Sequence, residues 1–281
     1  PRSRGWGGWR ETSPVLRDQR GVPDKTMSFS LWDAAKNGRT DEVQRLLERT
    51  TRRVSMALHG AVEGGHLPAV KLLLDNGADV NFKIEDGRSP LHRAARLGHG
   101  SLVQLLLDRG ADVNTATVDG DTPLLSAAEE VHESIVQLLL DKDANVDAKT
   151  NHWYTSLHRA AAGGTTSIVK LLLDKGAQVN AQTRDGYTPL HSPSQRGHLE
   201  VVRLLLDRGA DACIRTNDGK TPEDLATTGA CTALLLQEAA RRAGMEALAM
   251  GHHERLGAHS LVLGLDEEVL RMILDGVFPR S

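Results

Sequence analysis

Three consecutive leucines return at a fixed interval along this chain: Leu72-Leu73-Leu74, then residues 105–107, 138–140, 171–173 and 204–206, each 33 residues after the last. A second series with the same step runs Leu58, Leu91, Leu124, Leu157, Leu190. A third is a hydroxyl residue at Ser89, Thr122, Thr155, Thr188 and Thr221. Three independent series on one period make the repeat, not a single globular core, the unit of the fold. A unit this short cannot bury its own apolar face. Neighbours must stack, so stability becomes a sum of local and nearest-neighbour terms.

The residues between the leucines predict two short helices per unit. In Asp185-Gly186-Tyr187-Thr188-Pro189-Leu190-His191 the Asp-Gly pair signals a turn. Thr188 suits an N-cap and Pro189 the first helical position, where its missing N–H costs little. His191, three after the cap, is placed to bond back toward Thr188 as a capping-box glutamate does. Small pairs follow at Ala94-Ala95, Ala127-Ala128 and Ala160-Ala161, and allow two helices to approach closely. Gly98-His99 breaks the first helix. The second carries Leu102, Val103, Leu105 and Leu106 at helical spacing. Gly77, Gly110, Gly176 and Gly209 take the position after that helix, where a left-handed backbone is wanted.

Thr188-Pro189-Leu190-His191, Gly197-His198-Leu199-Glu200-Val201-Val202 and Gly209-Ala210-Asp211 resemble the ankyrin repeat, and the resemblance covers about residues 30–239. It implies an all-α dominated solenoid whose units pair a β-hairpin finger with two antiparallel helices, fingers and first helices forming a concave binding face. The expected units are 30–53, 54–83, 84–116, 117–149, 150–182, 183–215 and 216–239, seven in all, within an ankyrin-repeat domain 27–239. The outer two are shortened, as capping units should be. Trp32-Asp33-Ala34-Ala35 through Leu46-Leu47 aligns with the next unit at an offset of 27, and Leu234-Leu235-Leu236 arrives three residues early. Residues 1–26 hold six Lys/Arg against three Asp/Glu without periodicity and read as a disordered basic tail. The chain starts at Pro1, as a fragment, a processed form or an imperfect gene reading would, and Met27 is a plausible start. Residues 240–281 read as a helical cap or tail.

Composition narrows the function classes. Net charge is −3, which argues against a dedicated nucleic-acid binder. The two cysteines, Cys213 and Cys231, make no disulfide framework and point to a reducing compartment, cytoplasmic and/or nuclear. No apolar run reaches the roughly 18–20 residues of a membrane span, so no membrane association is expected. Phosphate-loop, nucleophile-elbow and His-Glu-x-x-His patterns do not occur, so no enzyme, cofactor or small-molecule substrate is expected. Most of the twelve histidines fall at repeat positions: His59, His92, His158 and His191 in the capping slot, His66, His99, His132 and His198 at the inter-helix turn. Structural use accounts for them, and no metal site is expected. Cys213 reads as a buried structural thiol.

The departures from the repeat are where a partner would be read. Trp153 stands where neighbouring units have Gly87, Gly120, Gly186 and Gly219, in a finger tip reading His152-Trp153-Tyr154, and Tyr187 lies 33 residues after Tyr154. Only nine aromatics exist in the chain, so three on adjacent fingers would form either a binding patch or packing between fingers. Charge alternates along the presumed groove. Arg88, Arg93 and Arg96 belong to unit three, Asp119, Asp121, Glu129 and Glu130 to unit four, and Arg184 and Arg196 to unit six. This banding either steers a partner of complementary charge or closes into local ion pairs. Pro193 falls inside the first helix of unit six, at a cost of about 3 kcal/mol, and reads either as a groove-shaping kink or as a weakened unit.

The function these features point to is a non-catalytic, monomeric protein-interaction scaffold or adaptor holding an unidentified protein partner. The resemblance also implies that Asn81, Asn114 and Asn180 bond within the finger hairpin and can be substrates for asparaginyl hydroxylation. Asp147 takes that slot in unit four. The stretch Leu265 to Leu274 is weakly similar to the start of an F-box, with Asp266 in place of the expected proline. It opens an alternative in which the chain recruits substrates to a cullin-type ubiquitin ligase.

Overall fold

A computed structural model describes residues 25–47 and 54–249. Fourteen helices lie among them, in consecutive pairs: α1 (Lys25–Lys36) with α2 (Thr40–Leu47), α3 (Val54–Glu63) with α4 (Leu67–Asp75), α5 (Pro90–Arg96) with α6 (Gly100–Asp108), and α7 (Pro123–Glu129) with α8 (Glu133–Asp141). The series continues with α9 (Ser156–Gly163) and α10 (Thr166–Asp174), α11 (His191–Arg196) and α12 (Leu199–Asp207), and α13 (Pro222–Leu225) and α14 (Gly229–Ala249). Odd-numbered helices pack on odd-numbered neighbours and even on even, giving an inner and an outer layer.

The leucine series explain the layering. Leu58, Leu91, Leu124, Leu157 and Leu190 are all buried between consecutive inner helices. In each triplet the middle leucine, Leu73, Leu106, Leu139, Leu172 or Leu205, is fully buried against the inner layer. Its neighbours Leu72, Leu105, Leu138, Leu171 and Leu204 are partly buried against the same core. The alanine pairs lie at or near zero exposure, which is what lets helices of seven to nine residues pack backbone to backbone.

The fingers carry no β-strand among the described residues. Each is a tight loop closed by two backbone bonds, as in Thr117 N–H to Asp121 O (2.9 Å) with Gly120 N–H to Thr117 O (3.0 Å), Thr150 N–H to Tyr154 O (3.0 Å) with Trp153 N–H to Thr150 O (2.8 Å), and Thr183 N–H to Tyr187 O (2.9 Å) with Gly186 N–H to Thr183 O (3.0 Å). Adjacent fingers are tied tip to tip by Val118 N–H to Asp86 O, Asn151 N–H to Asp119 O, Arg184 N–H to His152 O and Asn217 N–H to Asp185 O. The polar backbone is thus satisfied by loop closure and cross-finger bonds rather than by a ladder.

Pro193 does not kink a helix. α11 begins at His191, one unit in which the expected start at Pro189 fails. Without an N–H at residue 193 the carbonyl of Pro189 has no helical donor, so the first turn gives way to a turn closed by His191 N–H to Thr188 O (3.1 Å). Pro193 then sits in the first turn of the shortened helix, where N–H groups lack intrahelical partners anyway. Ser194, in place of alanine, is buried and its hydroxyl donates to Leu190 O at 2.8 Å.

At the ends, α1 starts at Lys25, and α14 runs without a break through residue 240, the boundary expected between the last unit and the tail. The F-box-like stretch at 265–274 and residues 1–24 lie outside the described residues. Cys213 is exposed rather than buried, because it occupies the outward asparagine slot of its finger; Cys231 is the buried thiol. No helix among the described residues is long and apolar enough to cross a membrane.

Candidate functional site

The inner helices are set by histidine. In three units the ring Nδ1 accepts the N–H of the capping residue: Ser89 to His92 (3.1 Å), Thr155 to His158 (3.2 Å) and Thr188 to His191 (2.9 Å). That leaves Nε2–H to donate to a carbonyl of the following unit, Asp121 (3.0 Å), Tyr187 (3.1 Å) and Lys220 (3.3 Å) respectively. One side chain therefore caps its own helix and ties it to the next unit, in one neutral tautomer. Burial is the main reason these rings resist protonation: it lowers His158 to about 4, and lowers His92 and His191 as well. His59, which bonds Phe82 O at 2.8 Å, is held at about 4 by the same burial.

The turn histidines do a different job. A Cβ added at Gly98 would come within 2.7 Å of the His132 ring, and one at Gly164 within 2.8 Å of the His198 ring. Each ring lies over the glycine of the preceding unit, and His132 Nε2 also bonds Arg96 O at 3.0 Å. The asparagines bridge units too, rather than bonding within their own hairpin. Asn81 Oδ1 accepts Asp112 N–H at 2.8 Å while its Nδ2 donates to Gly110 O at 3.2 Å. Asn114 repeats this with Asn145 and Asp143, and Asn180 with Asp211 and Gly209.

On this frame the charged residues of the finger and inner-helix face mostly close on one another. Arg96 pairs with Glu130 at 3.3 Å, Glu129 with Arg159 at 3.4 Å and Arg93 with Glu63 at 2.8 Å. Arg88 turns onto its own Asp86 at 3.1 Å, Asp121 accepts the Ser126 hydroxyl at 2.9 Å, and Arg196 donates to Ala162 O. Asp119 and His152 are exposed, and each gives its backbone carbonyl to the next finger.

The aromatics divide. Tyr154 and Tyr187 are half-buried on the capping histidines of their own inner helices, with centroids 5.8 Å from His158 and 5.4 Å from His191. Arg159 covers the Tyr154 ring at 5.0 Å. Trp153 is 49% exposed, with the Arg184 guanidinium 5.9 Å from its ring.

Trp153 also carries backbone strain. The equivalent glycines have φ of +80° (Gly87), +78° (Gly120), +80° (Gly186) and +75° (Gly219), and Trp153 has +64°. A bulky side chain in the left-handed region costs about 1–2 kcal/mol. At Gly87, Gly120 and Gly186 a Cβ would meet the backbone of the next finger at 2.8–3.1 Å, whereas at Gly219 it would meet nothing within 4 Å. The chain thus holds a large ring at a site its other fingers reserve for glycine, and leaves half of it in water.

Among the exposed apolar residues that escaped the sequence reading, Val118 and Val131 are the most exposed. Val118, 66% exposed, is at the tip of the finger before Trp153. Its equivalents are Glu85, Asn151, Arg184 and Asn217, so an apolar residue in a polar slot was the available signal. Val131, 49% exposed and left-handed at φ +64°, stands where neighbouring units turn on glycine.

The profile describing ankyrin repeats (3 copies) matches residues 31–117, 58–150, 115–183 and 157–244. The ankyrin repeat-containing protein P1E11.10 of Schizosaccharomyces pombe is 43% identical over 72 residues, which is 24% of this chain and 35% of that protein. Protein phosphatase 1 regulatory subunit 27 of Homo sapiens is 35% identical over 92 residues, 28% of this chain and 58% of that one. The aligned regions thus span about a third and somewhat over half of those relatives. Among solved structures, the human ASB11 ankyrin repeat domain superposes with a TM-score of 0.66 at 32% identity, covering 74% of this chain and 96% of that one.

Proposed function

Because this chain belongs to the ankyrin-repeat family, we propose that it is a non-catalytic scaffold of seven units that holds a protein partner across its fingers and inner helices, with Trp153 at the centre of the contact. Trp153 carries the reading. A strained residue persists where surrounding structure and use compensate it, and an exposed tryptophan beside arginine is the chemistry of binding hot spots. Arg184 and Val118 flank it on the neighbouring fingers, and Tyr154 and Tyr187 line the floor. The paired charges Arg96, Glu130, Glu129 and Arg159 give that floor polar contacts without a net field. One similar protein is named as a regulatory subunit of protein phosphatase 1, a role defined by attachment to another protein.

The test is Trp153→Gly, which restores the residue the other fingers use. Affinity capture or proximity labelling with wild type and variant should show one or more proteins lost from the variant, while the thermal midpoint rises or holds. Identical capture by both would overturn the reading. We also propose Asn81, Asn114 and Asn180 as asparaginyl hydroxylation sites; intact-mass spectra of cell-derived protein should show steps of +16, and spectra without them refute it.

A further inference from the structure

Three kinds of tie between consecutive helix pairs recur with fixed offsets, and all three fail together at one place. Three of the four capping histidines donate to the carbonyl 29 residues on, His92 to Asp121, His158 to Tyr187 and His191 to Lys220, while His59 bonds Phe82 O, 23 residues on. In the α7/α8 pair that slot is Leu125, which cannot donate to the corresponding carbonyl, that of Tyr154. A turn histidine lays its ring on the glycine 34 residues earlier, as His99 does on Gly65, His132 on Gly98 and His198 on Gly164. Between α7/α8 and α9/α10 that pairing is Val131 with Thr165: the glycine has become a β-branched residue at φ +64° and the ring a hydroxyl. An asparagine amide donates to the carbonyl 29 residues on, as Asn81 does to Gly110, Asn114 to Asp143 and Asn180 to Gly209. Here the slot holds Asp147. Its carboxylate accepts Gln178 N–H at 2.9 Å but has no N–H to give.

What survives at this junction is exposed: the finger bonds from Asn151 N–H to Asp119 O at 2.8 Å and Asn151 Nδ2 to Val118 O at 3.0 Å, and the contacts of Asp141 with Lys175 at 2.8 Å, Glu129 with Arg159 at 3.4 Å, and Ser167 with Glu133. Exposed ion pairs of this kind contribute little and are screened by salt. The three left-handed non-glycine residues among those described, Val131, Asp143 and Trp153, all fall within or beside the same junction. The apolar contact of α7 with α9 and α8 with α10 remains.

We propose that the array is two cooperative units meeting between α8 and α9, with α1 to α8 on one side and α9 to α14 on the other, joined by a seam that opens before either unit unfolds. In a stacked array a perturbation spreads as far as nearest-neighbour coupling carries it. A weak seam stops it. The inference holds whether or not Trp153 binds a partner.

The test is hydrogen exchange by mass spectrometry on the full chain carrying Leu205→Ala, a cavity in α12, and separately Leu73→Ala in α4. Leu205→Ala should lower protection in α9 to α14 at least about ten-fold while peptides from α3 to α8 change by less than about two-fold, and Leu73→Ala should do the reverse. Restoring the chain's own ties with Leu125→His and Asp147→Asn, or independently with Val131→Gly and Thr165→His, should let the Leu205→Ala loss cross into α7 and α8. If Leu205→Ala lowers protection on both sides alike in the otherwise wild-type chain, there is no seam. If both repaired chains still confine the loss, the missing ties are not its cause, and the proposal fails on that account.

Discussion

Acid should unfold this protein through its capping histidines. His158 is 4% exposed and His59 3%. Burial holds both at about 4 against an ordinary value of 6.5. In the unfolded chain both titrate normally. Above pH 6.5 both states are neutral and the full stabilisation from keeping these rings uncharged is present. As pH falls from 6.5 toward 4 the unfolded state takes up protons that the folded state refuses, and stability is lost. At about 1.36 kcal/mol per pH unit, a fall from 6.5 to about 4 is worth about 3 kcal/mol for each ring. His92 and His191 are lowered by the same cause and push in the same direction. Against a total stability of about 5–15 kcal/mol, the loss is enough to unfold much of the array near pH 4.5. The geometry gives the reason: protonating His158 forces a proton onto the Nδ1 that accepts Thr155 N–H. Urea midpoints by circular dichroism at pH 7, 6, 5 and 4.5 measure the slope. Carboxylates also titrate in this range, so the decisive comparison is with His158→Gln, which is less stable at pH 7 but should lose less on acidification, by one ring's share. Parallel curves for the two proteins, or an NMR titration midpoint above 6 for the His158 ring, would refute the reasoning.

Trp153→Gly should raise stability by about 1 kcal/mol through relief of the left-handed strain, read as a higher thermal midpoint; a fall would mean that the ring's contact with Arg184 outweighs the strain. Pro193→Ala should change the urea midpoint by less than about 1 kcal/mol, since Pro193 lies in the first turn of α11; a gain near 3 kcal/mol would restore the interior-proline reading. Gly98→Ala combines a left-handed position at φ +78° with a Cβ 2.7 Å from the His132 ring, and should cost about 2 kcal/mol or more. Charge reversal at Lys175, on the exposed pair with Asp141, should shift the urea midpoint only slightly at low salt and not at all in about 1 M salt; a large shift that persists in salt would contradict this.

The helices and their layering were legible because they follow from period and composition. Leu91 and its equivalents had to be core, and Ser89 and Thr155 had to be caps. The capping role of histidine could be read from its spacing to the hydroxyl; its second bond, to a carbonyl 29 residues on, could not, because spacing along one unit says nothing of the register between units. The same gap hid the true partners of Asn81 and Asn114 and sent Cys213 to the wrong side of the chain. For the candidate site, Trp153 stood out as a residue replacing a glycine. The charge bands did not survive as bands, since Arg96 and Glu130 lie within 3.3 Å of each other once the units stack. Val118 was readable in principle, by comparing one slot across five fingers rather than searching for aromatics.

A repeat protein offers its own control, because each slot is occupied several times under nearly the same constraints. Departures can then be sorted by whether the backbone adapts. Pro193 and Trp153 looked alike as interruptions in adjacent units, and they prove to be opposites. At Pro193 the helix starts later, the missing N–H falls in a first turn whose N–H groups have no intrahelical partner anyway, and Ser194 supplies a hydroxyl to Leu190 O at 2.8 Å. The local structure relaxes and little cost remains, so nothing calls for a use. At Trp153 the finger keeps its turn, its closing bond from Trp153 N–H to Thr150 O at 2.8 Å and its tie to the next finger. The strain is therefore retained, on a ring that half faces water. Drift alone tends to remove such a cost by the single change to glycine that four other fingers show is tolerated. A cost kept where relief is that close is the physical ground for proposing the partner contact at Trp153 rather than at the more conspicuous proline.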